Sequence, residues 1–274
     1  MTGGCSMKLS LWKERLHPYE LAVKEIVMKL QFVIKEHMDC GVYCPIEKVN
    51  GRVKSISSIL SKAERKGIPV EEVLDKIEDI AGIRIICQFE EDIYQVVESL
   101  RSRTDMKVTS EIDYIAHPKP SGYRSYHMVV EYSVQTSFES CVIPVEIQIR
   151  TLAMDFWAVV EHSLQYKYEE RVPDRIRRRL MTSAEAVISL DEEMTAIRDD
   201  IKEAQTAFHK KANLVQDIMD SLGVLSKTVS QDKIVTLQNR FMQLYNQGKM
   251  EELKQLRDEV DLLCKIQLQE RLQL

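Results

Sequence analysis

The chain has 274 residues, of which 44% are hydrophobic and 7% aromatic, which is enough to bury a sizeable core and to exclude global disorder. Its formal net charge of −5 disfavours a general nucleic-acid binder, since such proteins usually carry a basic excess. The six cysteines are scattered, and the first residues lack the basic start and apolar segment of a secretory leader. We therefore expect a soluble cytoplasmic protein with free thiols and no membrane association.

Residues 11–38 have apolar side chains at three- and four-residue spacings, which predicts a long amphipathic helix. The loop that follows carries His37, Cys40 and Cys44, whose spacing is compatible with zinc but offers no obvious fourth ligand. Ordinary buried thiols are the alternative interpretation that we favour for these cysteines.

A second helix is predicted to begin near Arg52, with Asn50-Gly51 as a turn or cap before it. This prediction places Arg52 and Lys54 in the first turn, where free N–H groups and the helix dipole favour an anion. Ser58 and Lys62 would lie one turn further along, within reach of a phosphate. A solvated amphipathic helix without a ligand remains an alternative.

A short helix over 70–77 leads to an isoleucine-rich strand over 79–89, with Asp79 at its start. A helix over 90–103 and a strand over 107–115 follow. Two further strands are expected at 124–134 and 141–150, joined by a hairpin loop. A carboxylate at the end of a strand is suited to bind a metal ion, although Asp79 could equally cap a turn.

The stretch from His117 to Arg150 is the most informative part of the chain. Its first part, 117–127, combines turn-forming residues, basic side chains and two tyrosines, with no acidic residue. Its last part spaces Glu146, Gln148 and Arg150 two residues apart, so a strand would project all three from one face. Polar side chains that share a strand face are costly to bury unless they bind something.

From Leu152 almost to the end the pattern is helical, with a weak break near 226–231. The apolar residues of 172–210 recur at near-heptad spacing, which favours a packing surface for a partner over a cofactor site. The sequence therefore predicts an α+β fold, a mixed sheet flanked by helices, with a long helical C-terminal region. No glycine-rich P-loop or dinucleotide fingerprint is present.

Two carboxylates, Asp79 and Glu146, thus accompany two cationic clusters in the predicted fold. The first cluster comprises Arg52, Lys54 and Lys62. The second comprises Lys119, Arg124 and His127. Acidic ligands for Mg²⁺ together with two phosphate-binding clusters are typical of phosphoryl-type transfer between nucleotides.

With these motifs the sequence closely resembles the RelA/SpoT synthetase family, and in particular the single-domain small alarmone synthetases of the RelQ type. The resemblance covers roughly residues 10–210. It is carried, in the family order, by Gly51–Lys54, Asp79–Arg84, His117–His127 and Val145–Thr151, and continues through Asp155–Trp157 and Glu161–Lys167.

The resemblance implies a nucleotidyltransferase-like synthetase domain that transfers pyrophosphate from ATP to the 3′-hydroxyl of GDP or GTP with Mg²⁺ as cofactor. The products would be AMP and ppGpp or pppGpp, in a stringent-type stress response. Residues implied to bind the ATP phosphates are Arg52, Lys54 and Lys62, supported by Ser58. Asp79 and Glu146 would hold Mg²⁺, and Glu146 would also activate the 3′-hydroxyl.

On the acceptor side, the resemblance implies that Tyr123 stacks on the guanine while Lys119 and His127 contact phosphates. Gln148 would lie beside the acceptor. For Trp157, Glu161 and His162 a role in shaping the site and a role in packing are both left open. No His-Asp dipeptide, the mark of the family's hydrolase region, occurs in this sequence, so we expect synthesis without hydrolysis.

Small synthetases of this type commonly form homotetramers through terminal helices, which the 172–210 pattern would suit. We expect a synthetase domain with its oligomerisation helices at 10–210 and a helical extension at 211–274. A second site for (p)ppGpp or for single-stranded RNA, and the preference for GDP or GTP, are left open. The alternatives are another Mg²⁺-dependent nucleotidyltransferase and a catalytically silent helical scaffold or RNA-binding adaptor.

Overall fold

The computed structural model of the chain describes residues 3–167 and 173–272. Within them the helices are α1 Gly3–Asp39, α2 Ile56–Lys66, α3 Val73–Lys76, α4 Glu90–Arg101, α5 Leu152–Lys167, α6 Asp174–Leu225, α7 Gln231–Asn246 and α8 Met250–Leu272, with a 3₁₀ turn at Val70–Glu72 before α3. The strands are β1 Lys48–Val53, β2 Ala81–Cys87, β3 Met106–Asp113, β4 Tyr126–Gln135 and β5 Ser140–Thr151. None of the described helices is both long and apolar enough to cross a membrane.

The five strands form one mixed sheet in the order β1-β2-β5-β4-β3. Only β2 and β5 run parallel, while the other three pairs are antiparallel. The predicted mixed sheet flanked by helices and the predicted C-terminal helical region are therefore confirmed. The strand β5 lies centrally because its alternate residues Val145, Ile147 and Ile149 are fully buried in the core.

Helix α1 packs along the sheet through an apolar stripe that contains the fully buried Ile26. Gly51 on β1 allows this close approach, since a Cβ there would lie 2.5 Å from Val23 Cγ1 and 2.8 Å from Val27 Cγ2. Residues of β2, β4, β5, α2, α4 and the start of α5 also contribute to this core. Burial of these large apolar side chains is the main stabilising term of this part of the chain.

The prediction for the segment that contains Arg52 and Lys54 is wrong. Asn50, Gly51 and Arg52 lie within β1, which pairs antiparallel with β2, and Lys54 follows that strand. Helix α2 starts only after Ser55, whose side chain accepts a hydrogen bond from the N–H of Ser58. Arg52 therefore reaches the site from a strand and Lys54 from the short connection that precedes α2, and neither lies in the first turn of a helix.

The chain divides into two compact units, Met1–Thr195 and Ala196–Leu274. The second has its own core between α7, α8 and the C-terminal part of α6, with Ile218, Leu253 and Leu256 fully buried. The division falls inside α6. The domain limits expected at 210 and 211 stay a prediction.

Zinc binding by His37, Cys40 and Cys44 finds no support, because within the described parts of the chain no three His, Cys, Asp or Glu side chains are grouped so that they could hold a metal ion. The His37 ring nitrogen Nδ1 instead lies 2.8 Å from the carbonyl oxygen of Val33. Cys44 is half-buried, but Cys40 is exposed, so the interpretation of both as buried thiols is wrong for Cys40.

Candidate active site

The candidate site lies across one face of the sheet, where polar residues of four strands are neighbours. The strand register aligns Arg84 of β2 with Gln148 of β5, and Gln148 with His127 of β4. In the next row Arg52 of β1 is paired with Gly82, and Gly82 with Glu146. Because side chains alternate along a strand, the neighbours in each row project from the same face.

Glu146 stands at the centre of this face and both of its carboxylate oxygens are hydrogen-bonded. His127 Nδ1 lies 3.2 Å from Oε1, and Gln148 Nε2 donates to Oε2 at 2.8 Å. Burial alone would raise the pKa of Glu146, but the hydrogen bond and charge of His127, with Gln148, lower it below its usual value. Glu146 is therefore an ionised carboxylate at neutral pH.

Asp79 lies on the same cavity as Glu146, a space of about 200 Å³ that Arg52, Lys54 and Arg84 also line. Lys54 Nζ and Lys62 Nζ both donate to Asp79 Oδ2 at 2.6 Å. Burial acts to raise the pKa of Asp79, yet these two ammonium groups outweigh it and lower the pKa. The second oxygen, Oδ1, is buried and has no hydrogen-bond partner.

Ser58, one of the predicted phosphate-binding residues, does not line this cavity. Its hydroxyl lies 2.8 Å from Ser55 Oγ at the start of α2, and its side chain is exposed. In the described structure Ser58 serves the helix cap. Lys62 is not among the cavity-lining residues either, but its ion pair with Asp79 places it at the edge.

The loop 117–125 supplies the other half of the site. The Tyr123 hydroxyl lies 2.8 Å from His127 Nε2 and accepts a hydrogen bond from Arg150 Nη2 at 3.2 Å. The Lys119 ammonium lies 4.8 Å from the centre of the Tyr123 ring and 4.4 Å from that of Tyr114. Such cation–π contacts hold the cation against the aromatic faces.

Tyr114 is a residue that the sequence interpretation missed. Its ring meets those of His127 and Tyr123 edge-on, with centroids 5.1 and 6.2 Å apart, so it contacts three of the predicted acceptor residues when Lys119 is included. The signal was present as an aromatic residue near the end of the predicted strand over 107–115, just before the loop, but only the fold brings it to Tyr123.

Arg84 and Arg150 both form an ion pair with Asp155, a contact that the spacing of residues did not predict. Arg84 Nη1 lies 3.2 Å and Arg150 Nη1 3.4 Å from Asp155 Oδ1 at the start of α5. Arg150 also donates to Gln148, which in turn binds Glu146. The prediction that Glu146, Gln148 and Arg150 share a face is thus confirmed.

A second cavity, of about 330 Å³, adjoins this network. Arg52, Arg84, Tyr123, Arg150, Gln148, Glu161 and His162 line it. Trp157 does not line this cavity. It packs with Ala184 of α6 against Tyr123, and its indole N–H donates to Ser183 Oγ at 2.9 Å. Glu161 and His162 therefore contribute to a cavity wall, whereas Trp157 contacts the site through its packing with Tyr123.

Comparison with known proteins identifies the family to which the chain belongs. Residues 51–171 match the region found in RelA / SpoT proteins. The chain is 50% identical over 200 residues, 73% of this chain and 94% of the relative, to the GTP pyrophosphokinase YjbM of Bacillus subtilis. The chain belongs to the RelA/SpoT family. A second Bacillus subtilis relative, the GTP pyrophosphokinase YwaC, is 41% identical over 69% of this chain and 91% of its own length.

Solved structures of RelA/SpoT relatives share the fold. Small alarmone synthetase 1 from Bacillus subtilis bound to its product pppGpp superposes with a TM-score of 0.67 at 49% identity, covering 70% of this chain and 98% of that one. The same synthetase bound to AMPCPP gives a TM-score of 0.63 at 44% identity, covering 71% and 99%. The resemblance to small alarmone synthetases is therefore confirmed at the level of the fold.

Proposed function

We propose that this chain transfers the β,γ-diphosphate of ATP to the 3′-hydroxyl of GDP or GTP. The observation that carries the proposal is the position of Glu146, which lies between the cavity that Asp79, Lys54 and two arginines line and the aromatic loop at Tyr123. The GTP pyrophosphokinase relatives, and their complexes with pppGpp and with AMPCPP, support the same assignment.

In the proposed reaction the 3′-oxygen of the guanosine nucleotide attacks the β-phosphorus of ATP. A bond forms between that oxygen and the β-phosphorus, while the bond from the β-phosphorus to the oxygen of the α-phosphate breaks. The electron pair of the broken bond stays on AMP, and the 3′-hydroxyl proton passes to Glu146. GDP gives ppGpp and GTP gives pppGpp, without any oxidation or reduction.

Glu146 is suited to accept that proton because it is ionised and held in place by two donors. A general base needs hydrogen-bond reach to the proton that it removes, and an ionised carboxylate has the required free electron pair. His127 and Gln148 fix the plane of the carboxylate before the acceptor arrives. The carboxylate of Glu146 therefore needs little rearrangement during the reaction.

Asp79 and Glu146 would together hold Mg²⁺. Mg²⁺ usually takes one or two carboxylates and completes its shell with phosphate oxygens and water, so two carboxylates on one cavity fit it. The unpartnered Oδ1 of Asp79 is a free ligand position, since the lysines occupy only Oδ2. When bound, the ion would neutralise charge on the transferred diphosphate.

The cations around Asp79 would bind the ATP phosphates. Lys54 and Lys62 are held by one carboxylate oxygen, so an arriving triphosphate offers them more negative charge than Asp79 alone. Arg52 and Arg84 line both cavities and can contact the same nucleotide. Ser58 stays a weaker candidate because it faces its own helix cap.

The acceptor would stack its guanine on Tyr123, with Lys119 and His127 directed to its phosphates and Gln148 beside it. The Lys119 ammonium now lies over the Tyr123 ring, within 4.8 Å of its centre. Stacking of a base on that face requires Lys119 to leave it. The ammonium is then free to bind the 5′-phosphates, so base and phosphate binding are coupled.

The larger assembly belongs to the same proposal. We propose a cytoplasmic homotetramer that acts in a stringent-type response, with a second (p)ppGpp or single-stranded RNA site as an open hypothesis. The apolar side chains exposed on α5 and α6, Leu152, Phe156, Val159, Leu190 and Met194, support association between copies. Light scattering coupled to size exclusion would give the mass of the particle.

Product analysis of two variants tests the assignment of the site. Glu146→Gln is expected to lower turnover by at least about a hundredfold, because a general base contributes roughly 10²–10⁴ in rate. Tyr123→Ala is expected to lower kcat/KM for GDP by roughly tenfold or more, since base stacking is worth about 1–3 kcal/mol. Chromatography of the nucleotides after incubation with ATP, GDP and Mg²⁺ measures both.

Glu131→Gln is the matched control, because Glu131 is an exposed carboxylate on β4 that binds only Lys107. It is expected to leave turnover within twofold of the wild type. If Glu146→Gln and Tyr123→Ala both kept the wild-type rate, the site would be assigned to the wrong residues.

A further inference from the structure

The N-terminal part of α6 lies directly against the acceptor loop. A Cβ added at Gly122, which has φ +88°, would lie 2.5 Å from the Cβ of Ala184. Trp157 and Ala184 form a small buried cluster, and Tyr123 packs on it. The residue that is proposed to carry the guanine is thus supported from behind by α6.

Asp191 lies two turns further along α6 and is 5% exposed. Its Oδ2 accepts a hydrogen bond of 2.9 Å from the hydroxyl of Thr151, which is fully buried. The same hydroxyl oxygen accepts a hydrogen bond of 3.1 Å from the N–H of Met154. Thr151 is therefore the N-terminal cap of α5, and Asp191 orients the hydroxyl that makes the cap.

Thr151 also ends the strand that carries the chemistry. It follows Arg150, which donates to Tyr123 and to Gln148, and it precedes the turn of α5 that holds Asp155. A shift of Thr151 would move Arg150 and with it the hydroxyl of Tyr123.

The charge of Arg124, the residue after Tyr123, acts on Asp191. Arg124 is 9% exposed and binds Glu90 of α4 at 2.8 Å, while its Nε and Nη1 are buried without a hydrogen-bond partner. The pKa of Asp191 is raised to about 6, mainly by burial. The hydrogen bond from Thr151 and the charge of Arg124 act to lower it, and the charge of Glu90 acts to raise it. The acceptor loop is therefore tied on both sides of Tyr123, at Gly122 and at Arg124, to elements packed beneath it.

We infer that Asp191 is a positioning residue for the acceptor nucleotide, and that it acts through its hydrogen bond to Thr151. Asp191 lines neither of the two cavities described above. It fixes the junction of β5 and α5, so that Arg150 holds Tyr123 in the orientation that accepts a guanine. This inference rests on the proposed function for the identity of the acceptor.

The test compares Asp191→Ala, Asp191→Asn and the control Glu192→Ala, an exposed neighbour on α6. Asp191→Ala should raise the KM for GDP and its dissociation constant in equilibrium dialysis roughly three- to tenfold, the range expected for one lost hydrogen bond. The KM for ATP should stay within twofold. Asp191→Asn keeps an acceptor for the Thr151 hydroxyl, so it and Glu192→Ala should both keep the wild-type KM and dissociation constant for GDP.

Thr151→Val provides the second arm, because it removes the hydroxyl and keeps the shape of the side chain. If Asp191 acts through Thr151, the double variant should bind GDP no more weakly than Thr151→Val alone. Additive losses, equal changes in the constants for ATP and GDP, or an Asn variant as weak as the Ala variant would each overturn the inference.

Dialysis separates the two claims. Wild-type protein that binds GDP but makes no product refutes the proposed transfer, while the dissociation constants of the variants still decide the role of Asp191. Wild-type protein that does not bind GDP refutes both.

Discussion

Glu146 shows at the scale of one residue how the sheet produces the site. Its neighbours Gln148 on the same strand and His127 on the adjacent strand both reach it because of strand alternation and register. The first relation could be predicted from spacing. The second depends on how β4 and β5 align, which the sequence does not state, so the residue pattern places His127 in a cationic cluster but does not predict its contact with Glu146.

Gly122 offers a residue-scale prediction. Gly122→Ala should destabilise the protein by about 1–3 kcal/mol, since the alanine would have to adopt a left-handed φ and its Cβ would overlap Ala184. Urea denaturation measures the change. The double variant Gly122→Ala/Ala184→Gly should recover only part of the loss, because it removes the overlap and leaves the backbone strain.

Wild-type stability of Gly122→Ala would contradict this account of the loop. Full recovery in the double variant would show that the overlap alone matters and that the φ of +88° carries no strain.

The segment 48–66 shows at the scale of elements where prediction from sequence stops. Asn50-Gly51 has the composition of a turn, and the apolar residues Ile56, Ile59 and Leu60 have helical spacing. The helix exists, but β1 precedes it, because 48–53 is stabilised by pairing with β2 and by the fit of Gly51 under α1. Such tertiary stabilisation is invisible in local spacing. The long, strongly periodic helix over 11–38 and the strand over 79–89 were predictable, as they carry their own pattern.

The contact between α6 and the end of β5 gives an element-scale prediction for the dependence of stability on pH. The pKa of Asp191 is raised to about 6 in the folded protein, so ionisation of this buried group opposes folding above that pH. Asp191→Asn cannot ionise. It should therefore unfold at a higher temperature than the wild type at pH 8, by a difference that shrinks as the pH falls through 6 and vanishes near 4.

Thermal unfolding followed by circular dichroism at pH 4, 6 and 8 measures this difference. If the unfolding temperatures differed by the same amount at all three pH values, the ionisation of Asp191 would not be the cause. A wild type that unfolded at a higher temperature than Asp191→Asn at pH 8 would contradict the prediction. Glu192→Ala, with an exposed side chain, should show no such trend.

The whole molecule comprises a synthetase-like unit and a second helical unit with a separate apolar core. Leu256→Ala should cost about 2–5 kcal/mol in that second core, since Leu256 is fully buried. Hydrogen exchange is expected to speed up in α7 and α8 while the amides of β2 and β5 stay protected. Leu262→Ala, at a side chain 58% exposed on the same helix, is the control and should leave exchange unchanged. Equal loss of protection in both units would show that they unfold as one.

The most direct test of the central claim is the fate of labelled ATP phosphates. ATP labelled at the α- or the γ-phosphate is incubated with unlabelled GDP, Mg²⁺ and the wild-type protein, and the nucleotides are separated. The proposed transfer predicts that the γ-label moves to the guanosine nucleotide while the α-label is released as AMP, in equal amounts. Transfer of the α-label with release of free pyrophosphate would identify a nucleotidyltransferase, and retention of both labels in ATP would show that no transfer occurs.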